Sequence, residues 1–220
     1  MKAKERIIQF GEGGFLRGFV DYFFQKLNDK GLFEGSVVVV QPIKTGMCEM
    51  LEAQNGKVVD EHTHIDVISR CINPYEDYEG YLSLAKNPDF RFIVSNTTEA
   101  GIVYEDDNKL SDSPANSFPA KLTALLYERF KAGLSGFIIL SCELIDHNGE
   151  ELLKCCKQYA CKWELGADFA SWLEKENSFC STLVDRIVTG FPRDEHKALE
   201  ERIGQKDNMM DTAEIFHLWV

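Results

Sequence analysis

The stretch FGEGGFLRG, residues Phe10–Gly18, lies where the hydrophobic pattern of the chain changes from that of a strand to that of a helix. The residues Arg6–Phe10 before it are mostly apolar, which is typical of a strand buried on both faces. After it, apolar residues recur at every fourth position, which predicts a helix that ends at Asn28–Gly31. The apolar stripe of this helix comprises Phe15, Phe19, Phe23 and Leu27, with Val20 and Phe24 beside it.

A β-branched run, Val37–Val40, follows the helix and predicts a second buried strand. Strand, helix and strand in this order form a βαβ unit, which implies a parallel sheet. Further strands are predicted at 58–59, 65–72, 90–94 and 137–140, the first two compatible with a hairpin, and further helices at 78–86, from Pro119 onward, and at 151–163, 168–176 and 195–203. The pattern therefore predicts one α/β domain with a mostly parallel sheet.

A strand that ends in Gly11-x-Gly13 and leads directly into a helix is the start of a dinucleotide-binding site. Gly11 permits the tight turn, and Gly13 lets the backbone come close to a pyrophosphate. The N-terminus of the helix offers N–H groups and a partial positive charge to that anion, and Arg17 is placed to add a phosphate contact. The residues expected at the nucleotide are Ile8, Gln9, Phe10, Gly11, Glu12, Gly13, Gly14, Phe15, Leu16, Arg17 and Gly18.

Two features of the usual dinucleotide fingerprint are absent. Its third glycine would fall at Leu16, and Gly18 comes two residues late. The acid that normally binds the ribose at the end of the second strand is replaced by Gln41, and Lys44 shortly after it could accommodate a 2′-phosphate. The alternative interpretation is a glycine turn that only lets the helix pack on the strand.

Polar residues also follow two later strands, in the runs Ser95–Glu99 and Ser141–Glu143. In open α/β sheets, ligands bind beyond the carboxyl ends of the strands. Together with the glycine turn, these runs predict a binding cleft formed by three strand ends. For Ser95–Glu99 a helix cap is the alternative interpretation.

The composition argues against several classes of protein. The 220 residues carry a formal net charge of −12, whereas a protein that binds a nucleic-acid duplex shows a basic face, so nucleic acid is not an expected partner. No apolar run reaches the length of a membrane span, and no stretch like a signal peptide precedes the glycines. We therefore expect a cytoplasmic protein without a membrane partner.

Cysteines, histidines and lysines show no arrangement typical of catalysis or of metal binding. The seven cysteines are odd in number in a chain that is not small, so a disulfide framework is not expected. Cys155, Cys156 and Cys161 lie in a predicted helix and are interpreted as buried apolar thiols rather than metal ligands. No lysine has surroundings that suggest a lowered pKa. The histidines, interpreted as surface or capping residues, are His62, His64, His147, His196 and His217.

Five stretches resemble the polyol-specific long-chain dehydrogenase/reductase family, the mannitol dehydrogenase group. Its motif Gly-x-Gly-x-Phe-x-Arg is matched by Gly11, Gly13, Phe15 and Arg17, and the match accounts for the missing third glycine. A second motif, Val-Asp-Arg-Ile, is matched by Val184–Ile187. The stretches are RIIQFGEGGFLRGFVD (6–21), RFIVSNTTEAGI (91–102), SFPAKLTALLYERF (117–130), CELIDHNGEEL (142–152) and NSFCSTLVDRIVTGFPRDE (177–195).

The resemblance implies a Rossmann-type, doubly wound domain that binds NAD over residues 1–194, with residues 195–220 starting the connection to a helical C-terminal domain. The catalytic lysine of the family, with a nearby asparagine and histidine, belongs to that second domain, which is absent from this chain. The stretches CELIDHNG and FCSTLVDRIVTGFPRDE point to the branch that reduces D-tagaturonate to D-altronate in galacturonate catabolism. The isolated chain is accordingly expected to hold NAD, to lack the general acid for a hexuronate substrate, and to self-associate through an exposed apolar face.

The resemblance also implies roles for residues of the predicted cleft. Asn96, Thr97 and Glu99 would border the nicotinamide ribose, and Cys142 and Glu143 would line the same cleft. Leu144 occupies the place where mannitol dehydrogenases have an asparagine that polarises the carbonyl. The adjacent charges Asp185 and Arg186 lie in an apolar stretch, where burial without partners is costly. They are interpreted as a cleft pair for proton and anion contacts or, alternatively, as a structural ion pair.

The alternatives to this function fall into three classes. Fructuronate reductase and mannitol dehydrogenase belong to the same family, and their substrate specificity lies largely in the second domain. A non-catalytic nucleotide-binding module would use the same glycine turn. A methyltransferase that binds S-adenosylmethionine would want an acid at the end of the second strand, where Gln41 stands.

Overall fold

Strands and helices alternate along the chain in the computed structural model, which describes residues 3–54, 56, 58–60, 63–98, 100–204 and 206–220. The strands are β1 (Glu5–Phe10), β2 (Ser36–Val40), β3 (Val58–Asp60), β4 (Thr63–Ile65), β5 (Ile68–Ile72), β6 (Phe92–Ser95), β7 (Ile138–Ser141), β8 (Ser178–Ser181), β9 (Val184–Asp185), β10 (Val188–Gly190), β11 (Thr212–Ala213) and β12 (Leu218–Trp219). The α-helices are α1 (Gly14–Leu16), α2 (Tyr22–Asp29), α3 (Cys48–Ala53), α4 (Tyr78–Ser83), α5 (Phe118–Lys131), α6 (Asn148–Lys162), α7 (Ala167–Lys175) and α8 (His196–Ile203). A π-helical turn, Arg17–Asp21, joins α1 to α2, and a 3-10 turn, Leu84–Lys86, follows α4.

The main sheet, as far as the chain is described, has six parallel strands in the order β5-β2-β1-β6-β7-β8. Its strand order reverses between β1 and β6. The pairing keeps the strand ends level, since Phe10 is opposite both Val40 and Ser95. Ser95 is opposite Ser141, and Ser141 is opposite Ser181. Five carboxyl ends therefore form one edge beside the reversal, which is where open α/β sheets bind ligands.

Alternate residues of the central strands face opposite sides of the sheet and build two cores. On one side, Ile8 and Phe10 pack with residues of α4, α5, α6 and α7. On the other side, Ile7 packs with Leu16, Phe19 and residues of α2 and α3. Helices thus cover both faces, and the predicted α/β, Rossmann-type, doubly wound fold with a parallel main sheet is confirmed.

Some predicted elements differ from the structure. The strand predicted at 65–72 is divided, because β4 pairs with β3 in a hairpin whereas β5 joins the main sheet. The division includes Asp66, whose N–H donates to Gln25 Oε1 at 3.0 Å. β8 is not predicted, since its sequence SFCS lacks an apolar run. Leu27, the last residue of the predicted apolar stripe, is exposed because it lies at the outer end of α2.

The cysteines correct two expectations. Cys48, at the start of α3, forms a disulfide with Cys71 in β5, with 5.4 Å between the two Cα atoms. Sequence spacing does not reveal this pair, because only the folding of α3 onto β5 brings the residues together. Cys155 and Cys156 are buried as predicted, but Cys161 is exposed near the end of α6.

The C-terminal residues 207–220 fold back over the start of the chain. β11 pairs with β10, and β12 pairs with β9. The Trp219 ring lies 5.5 Å from the ring of Phe19 and 5.8 Å from that of Phe23. This segment therefore packs on the π-helical turn and on α2, while the domain boundary at residue 194 stays a prediction.

In the described part of the chain, no helix combines the length and the apolarity that crossing a membrane requires. No three histidine, cysteine, aspartate or glutamate side chains among these residues are grouped so that they could hold a metal ion.

Candidate functional site

The glycine turn between β1 and α1 needs glycine at Gly11 and leaves space at Gly13. Gly11 has φ +124°, and a Cβ there would lie 2.7 Å from Leu16 Cδ1 and 3.1 Å from the Asn96 carbonyl oxygen. Gly13 is extended, with φ −66° and ψ 159°. A Cβ at Gly13 would meet none of the described atoms within 4 Å. The backbone of Gly13 is therefore open to a ligand at the start of the first helix, as a pyrophosphate requires.

The apolar residues of the turn contribute backbone rather than side chains to this surface. Ile8, Phe10 and Leu16 are core residues. Gly14 and Gly18 allow close packing against the C-terminal half of the chain. A Cβ at Gly14 would lie 2.7 Å from Asp211 Oδ1, and a Cβ at Gly18 would lie 3.2 Å from the Val188 methyl groups.

Arg17 is buried and bonded within the protein. Its Nη2 lies 2.8 Å from Asp211 Oδ2 and 3.4 Å from the Met209 carbonyl oxygen, and its Nη1 donates to the Glu12 carbonyl. This buried ion pair ties the glycine turn to the C-terminal segment. A phosphate contact by Arg17, as the sequence predicts, would require the pair to open, which is costly for a buried charge.

Gln9 and Asp21 support the turn from below. The Gln9 amide Nε2 donates to the Gly11 carbonyl oxygen and to Asp21 Oδ2, both at 3.2 Å. Asp21 is fully buried in the π-helical turn, and this burial raises the pKa of Asp21 to about 7. Gln9 therefore acts on the turn from beneath rather than on a ligand above it.

The ends of β6 and β7 are tied together by Glu143. Its Oε1 accepts hydrogen bonds from the N–H and the hydroxyl of Thr97, both at 3.0 Å, and its Oε2 accepts from the Ser95 hydroxyl at 3.1 Å. Burial raises the pKa of the Glu143 carboxyl, against the lowering effect of these bonds. The structure thus brings together the two polar runs that the sequence singles out.

The predicted placement of two side chains is corrected, because Cys142 and Glu143 are both buried. Burial raises the pKa of the Cys142 thiol to about 12. Asn96 donates from Nδ2 to the Cys142 carbonyl oxygen at 2.7 Å. Cys142 and Glu143 therefore support the wall of a cleft from behind. Glu99 lies outside the described residues.

A cleft of about 490 Å³, the central cleft, opens at this edge of the sheet. Its lining includes Asn96, Asp185 and Arg186, together with Phe15 of α1. Thr98, which has φ +77°, also lines it, and no feature of the sequence distinguishes Thr98 from its neighbours. Its remaining lining residues are Leu144, which is 65% exposed, and Val184.

Asp185, the last residue of the short strand β9, and Arg186, which follows it, differ in their surroundings. Asp185 is exposed. Arg186 is buried, donates from Nε to the Glu214 carbonyl oxygen at 2.9 Å and from Nη1 to the Gly18 carbonyl, and lies 4.5 Å from the centre of the Tyr22 ring. The two charges therefore do not serve as partners for each other, and the main chain satisfies much of Arg186.

A second cavity of about 540 Å³, the β2–β5 pocket, lies on the other side of the glycine turn. Glu12 connects it to the turn, since Glu12 Oε1 accepts from the Met47 N–H at 3.1 Å. Sequence analysis singles out Gln41 and Lys44 but not the pocket. Its lining residues are Gln41, Lys44, Thr45, Gly46, Cys48, Glu49, Glu52, Arg70, Cys71, Ile72, Asn73, Glu76 and Asp77.

One lysine departs from expectation. Lys121 on α5 is buried, its Nζ donates to the Asn116 carbonyl, and it lies 5.2 Å from the centre of the Tyr75 ring. Burial lowers the pKa of Lys121 to about 8. Lys121 lines neither cavity. The histidines also lie outside both cavities as far as they are described, and His62 is outside the described residues.

Comparison with known proteins agrees with this geometry. The altronate oxidoreductase of Phocaeicola vulgatus is 50% identical to the chain over 98% of its length, and that of Bacteroides thetaiotaomicron is 50% identical over 100%. The chain covers 48% and 49% of those proteins, so it spans about half the length of the curated relatives it matches.

Solved structures show the same fold at low sequence identity. A Pseudomonas fluorescens mannitol 2-dehydrogenase, in a ternary complex with NAD and D-mannitol, superimposes with a TM-score of 0.86 at 21% identity, over 99% of this chain and 49% of that one. A substrate-free D-sorbitol dehydrogenase superimposes with a TM-score of 0.83 at 22% identity, over 99% of this chain and 50% of that one. A sequence model of the mannitol dehydrogenase Rossmann domain matches residues 5–220. The chain therefore belongs to the mannitol dehydrogenase family, within its Rossmann domain.

Proposed function

We propose that this chain is the NAD-binding part of an oxidoreductase that reduces D-tagaturonate to D-altronate. The observation that carries the proposal is the position of the glycine turn between two cavities, at the reversal of strand order in the sheet. The similarity to altronate oxidoreductases over nearly the whole chain supports the choice of substrate.

The proposed cofactor fits this surface in three places. Its pyrophosphate lies on the exposed backbone of Gly13, at the N-terminus of the first helix. Its adenosine enters the β2–β5 pocket, because dinucleotide folds bind the ribose at the end of the second strand. Its nicotinamide enters the central cleft, next to Phe15 and Asn96.

The chemistry of the proposal divides between the cofactor and the protein. NADH, when bound, supplies the hydride. The residues of the central cleft would orient the nicotinamide. The buried Glu143 holds the loops after β6 and β7 together through hydrogen bonds. The residues that line the central cleft include no lysine, histidine or tyrosine among those described. Because the chain spans about half the length of its relatives, the proposal assigns the proton donor for the substrate carbonyl to the part of those relatives that this chain does not cover.

Titration calorimetry with NADH tests the proposal through the contrast between two glycines. Gly13→Val is expected to abolish binding, because the new side chain would occupy the space proposed for the pyrophosphate, while its Cβ would meet no described atom of the protein within 4 Å. Its thermal unfolding should match that of the unmodified chain. Gly11→Val is the contrasting control, expected to destabilise the fold because of its φ and its contact with Leu16. Unchanged NADH affinity in a folded Gly13→Val protein contradicts the proposal.

A further inference from the structure

The disulfide between Cys48 and Cys71 can be reached from the β2–β5 pocket. Both residues line that pocket, and each is 6% exposed. A disulfide is reduced when a thiolate attacks one of its sulfurs, so access to the sulfurs decides whether the bond is inert or reactive. The pocket, at about 540 Å³, has room for a small thiol. This cross-link is therefore open to a reductant that enters the pocket.

Helix α3, which begins at Cys48, depends on its anchors. It has six residues, whereas isolated helices shorter than about 12–15 residues are marginal in water. Two hydrogen bonds hold its N-terminal end. The Met47 N–H donates to Glu12 Oε1 at 3.1 Å, and the Cys48 N–H donates to Gln41 Oε1 at 3.3 Å. The disulfide adds a covalent anchor at the same end, to the edge strand β5.

The other end of α3 is bonded to the C-terminal segment. Gln54, which follows α3, donates from Nε2 to Asp207 Oδ1 at 2.7 Å and accepts at Oε1 from the Asn208 N–H at 2.6 Å. In the same segment, Asp211 pairs with Arg17 of the glycine turn at 2.8 Å. A displacement of α3 would therefore disturb the glycine turn as well as the pocket.

We propose that the disulfide between Cys48 and Cys71 is a redox switch for dinucleotide binding. In the oxidised chain it holds α3 where α3 forms the wall of the β2–β5 pocket, and its reduction by a dithiol releases α3 and weakens binding. The inference rests on the proposed function, which places the adenosine in this pocket.

The reduction is a thiol–disulfide exchange. A thiolate of the dithiol attacks one cysteine sulfur, the S–S bond of the protein breaks, and a mixed disulfide forms. The second thiol of the reductant then displaces that cysteine. Two electrons pass to the protein, the two protons of the dithiol end on Cys48 and Cys71, and the reductant leaves as a cyclic disulfide. Because β5 stays paired with β2 through main-chain hydrogen bonds, the reduced chain should keep its fold.

Titration calorimetry of the whole chain with NADH, before and after treatment with dithiothreitol, tests the proposal. NADH should bind roughly tenfold more weakly to the reduced chain, a usual size for coupling between two sites. Circular dichroism should show the same helix content in both forms. NADH should also slow the reduction, because it would occupy the approach to the sulfurs. Alkylation of the new thiols, followed by mass spectrometry, measures that rate.

Two variants separate the switch from other effects of the dithiol. The double variant Cys48→Ala with Cys71→Ala should bind NADH as the reduced chain does and should not respond to dithiothreitol. Cys161→Ala is the matched control, since Cys161 is an exposed free thiol outside the pocket. This control should respond as the unmodified chain does.

The outcomes distinguish this inference from the proposed function. Equal NADH affinity in the oxidised and reduced chains overturns the inference alone, and so does a response to dithiothreitol in the double variant. Loss of the circular dichroism signal on reduction also overturns it, because the cross-link would then be a requirement of the fold. If NADH binds to neither form, the proposed function fails and the inference fails with it.

Discussion

The two sides of the glycine turn are held in place by different means. On the side of the central cleft, buried polar side chains tie successive strand ends together, Glu143 between β6 and β7 and Asn148 between the ends of β7 and β8. On the side of the β2–β5 pocket, a disulfide joins α3 to β5, and exposed acids form the wall. The comparison shows that buried hydrogen bonds hold the strand ends on one side of the turn, whereas a covalent cross-link holds a helix on a strand on the other side.

The largest expected effect separates binding from turnover. The chain with NADH and D-tagaturonate should turn over at least about a hundred- to ten-thousand-fold more slowly than a full-length relative, because the proposed function places the general acid outside this chain. Absorbance of NADH measures this, with the altronate oxidoreductase of Bacteroides thetaiotaomicron as the positive control. A comparable rate for the chain would show that the proton donor lies within these residues.

The disulfide between Cys48 and Cys71, beside the β2–β5 pocket, should contribute to the stability of the fold. Replacing Cys48 and Cys71 together by alanine is expected to lower the free energy of unfolding by about 3 kcal/mol, because the cross-link closes a loop of 23 residues. Urea unfolding measures the change, with the exposed Cys161→Ala as control. Identical midpoints for the unmodified chain and the double variant would mean that α3 is held on β5 without the cross-link.

Asp21, beneath the turn, should give the stability a dependence on pH. Its pKa is raised from 3.8 to about 7 by burial, so the folded state favours the protonated form. The contribution of protonated Asp21 to the free energy of unfolding is fully present below pH 3.8 and is lost as the pH rises through 7. Between pH 5 and 8 the unmodified chain should lose roughly 2 kcal/mol relative to Asp21→Asn. Urea unfolding of both proteins at pH 5 and pH 8 measures the difference. The same change in the free energy of unfolding in the unmodified chain and in Asp21→Asn would contradict the prediction.

Much of the fold follows from local sequence pattern. The buried strands β1, β2, β6 and β7 are predictable because each contains an apolar run, and the glycine turn because Gly11 and Gly13 separate two hydrophobic periods. β8 is not predictable, since SFCS owes its place to pairing with β7 rather than to its own composition. The pairing of the C-terminal segment with β9 and β10 likewise depends on contacts between residues far apart in the chain.

The site was less predictable than the fold, because burial decides which side chains face a cavity. The sequence identifies Cys142 and Glu143 correctly as residues of a strand end, but not that both are buried behind the wall. Arg17 matches a family motif, yet its partner Asp211 is almost two hundred residues away. The disulfide depends on the contact between α3 and β5, which the local pattern does not contain.

The smallest expected effect concerns an exposed apolar face next to the central cleft. β9 pairs with β12, and the exposed apolar residues in and beside these two strands are Leu183, Ile187, Leu218 and Val220. Exposed apolar patches of this kind promote association. We expect weak self-association in sedimentation velocity that Leu218→Lys reduces and that Leu32→Lys, elsewhere on the surface, does not. Equal association in the unmodified chain and in both variants would show that this face does not mediate self-association.

The most direct measurement of the central claim is the change in backbone amide chemical shifts when NADH is added to the labelled chain. A dinucleotide that crosses the glycine turn should shift Gly13 and Gly14 together with residues of both cavities, such as Asn96 in the central cleft and Gly46 in the β2–β5 pocket. Shifts that leave Gly13 and either cavity unchanged would contradict the claim that the cofactor spans the turn.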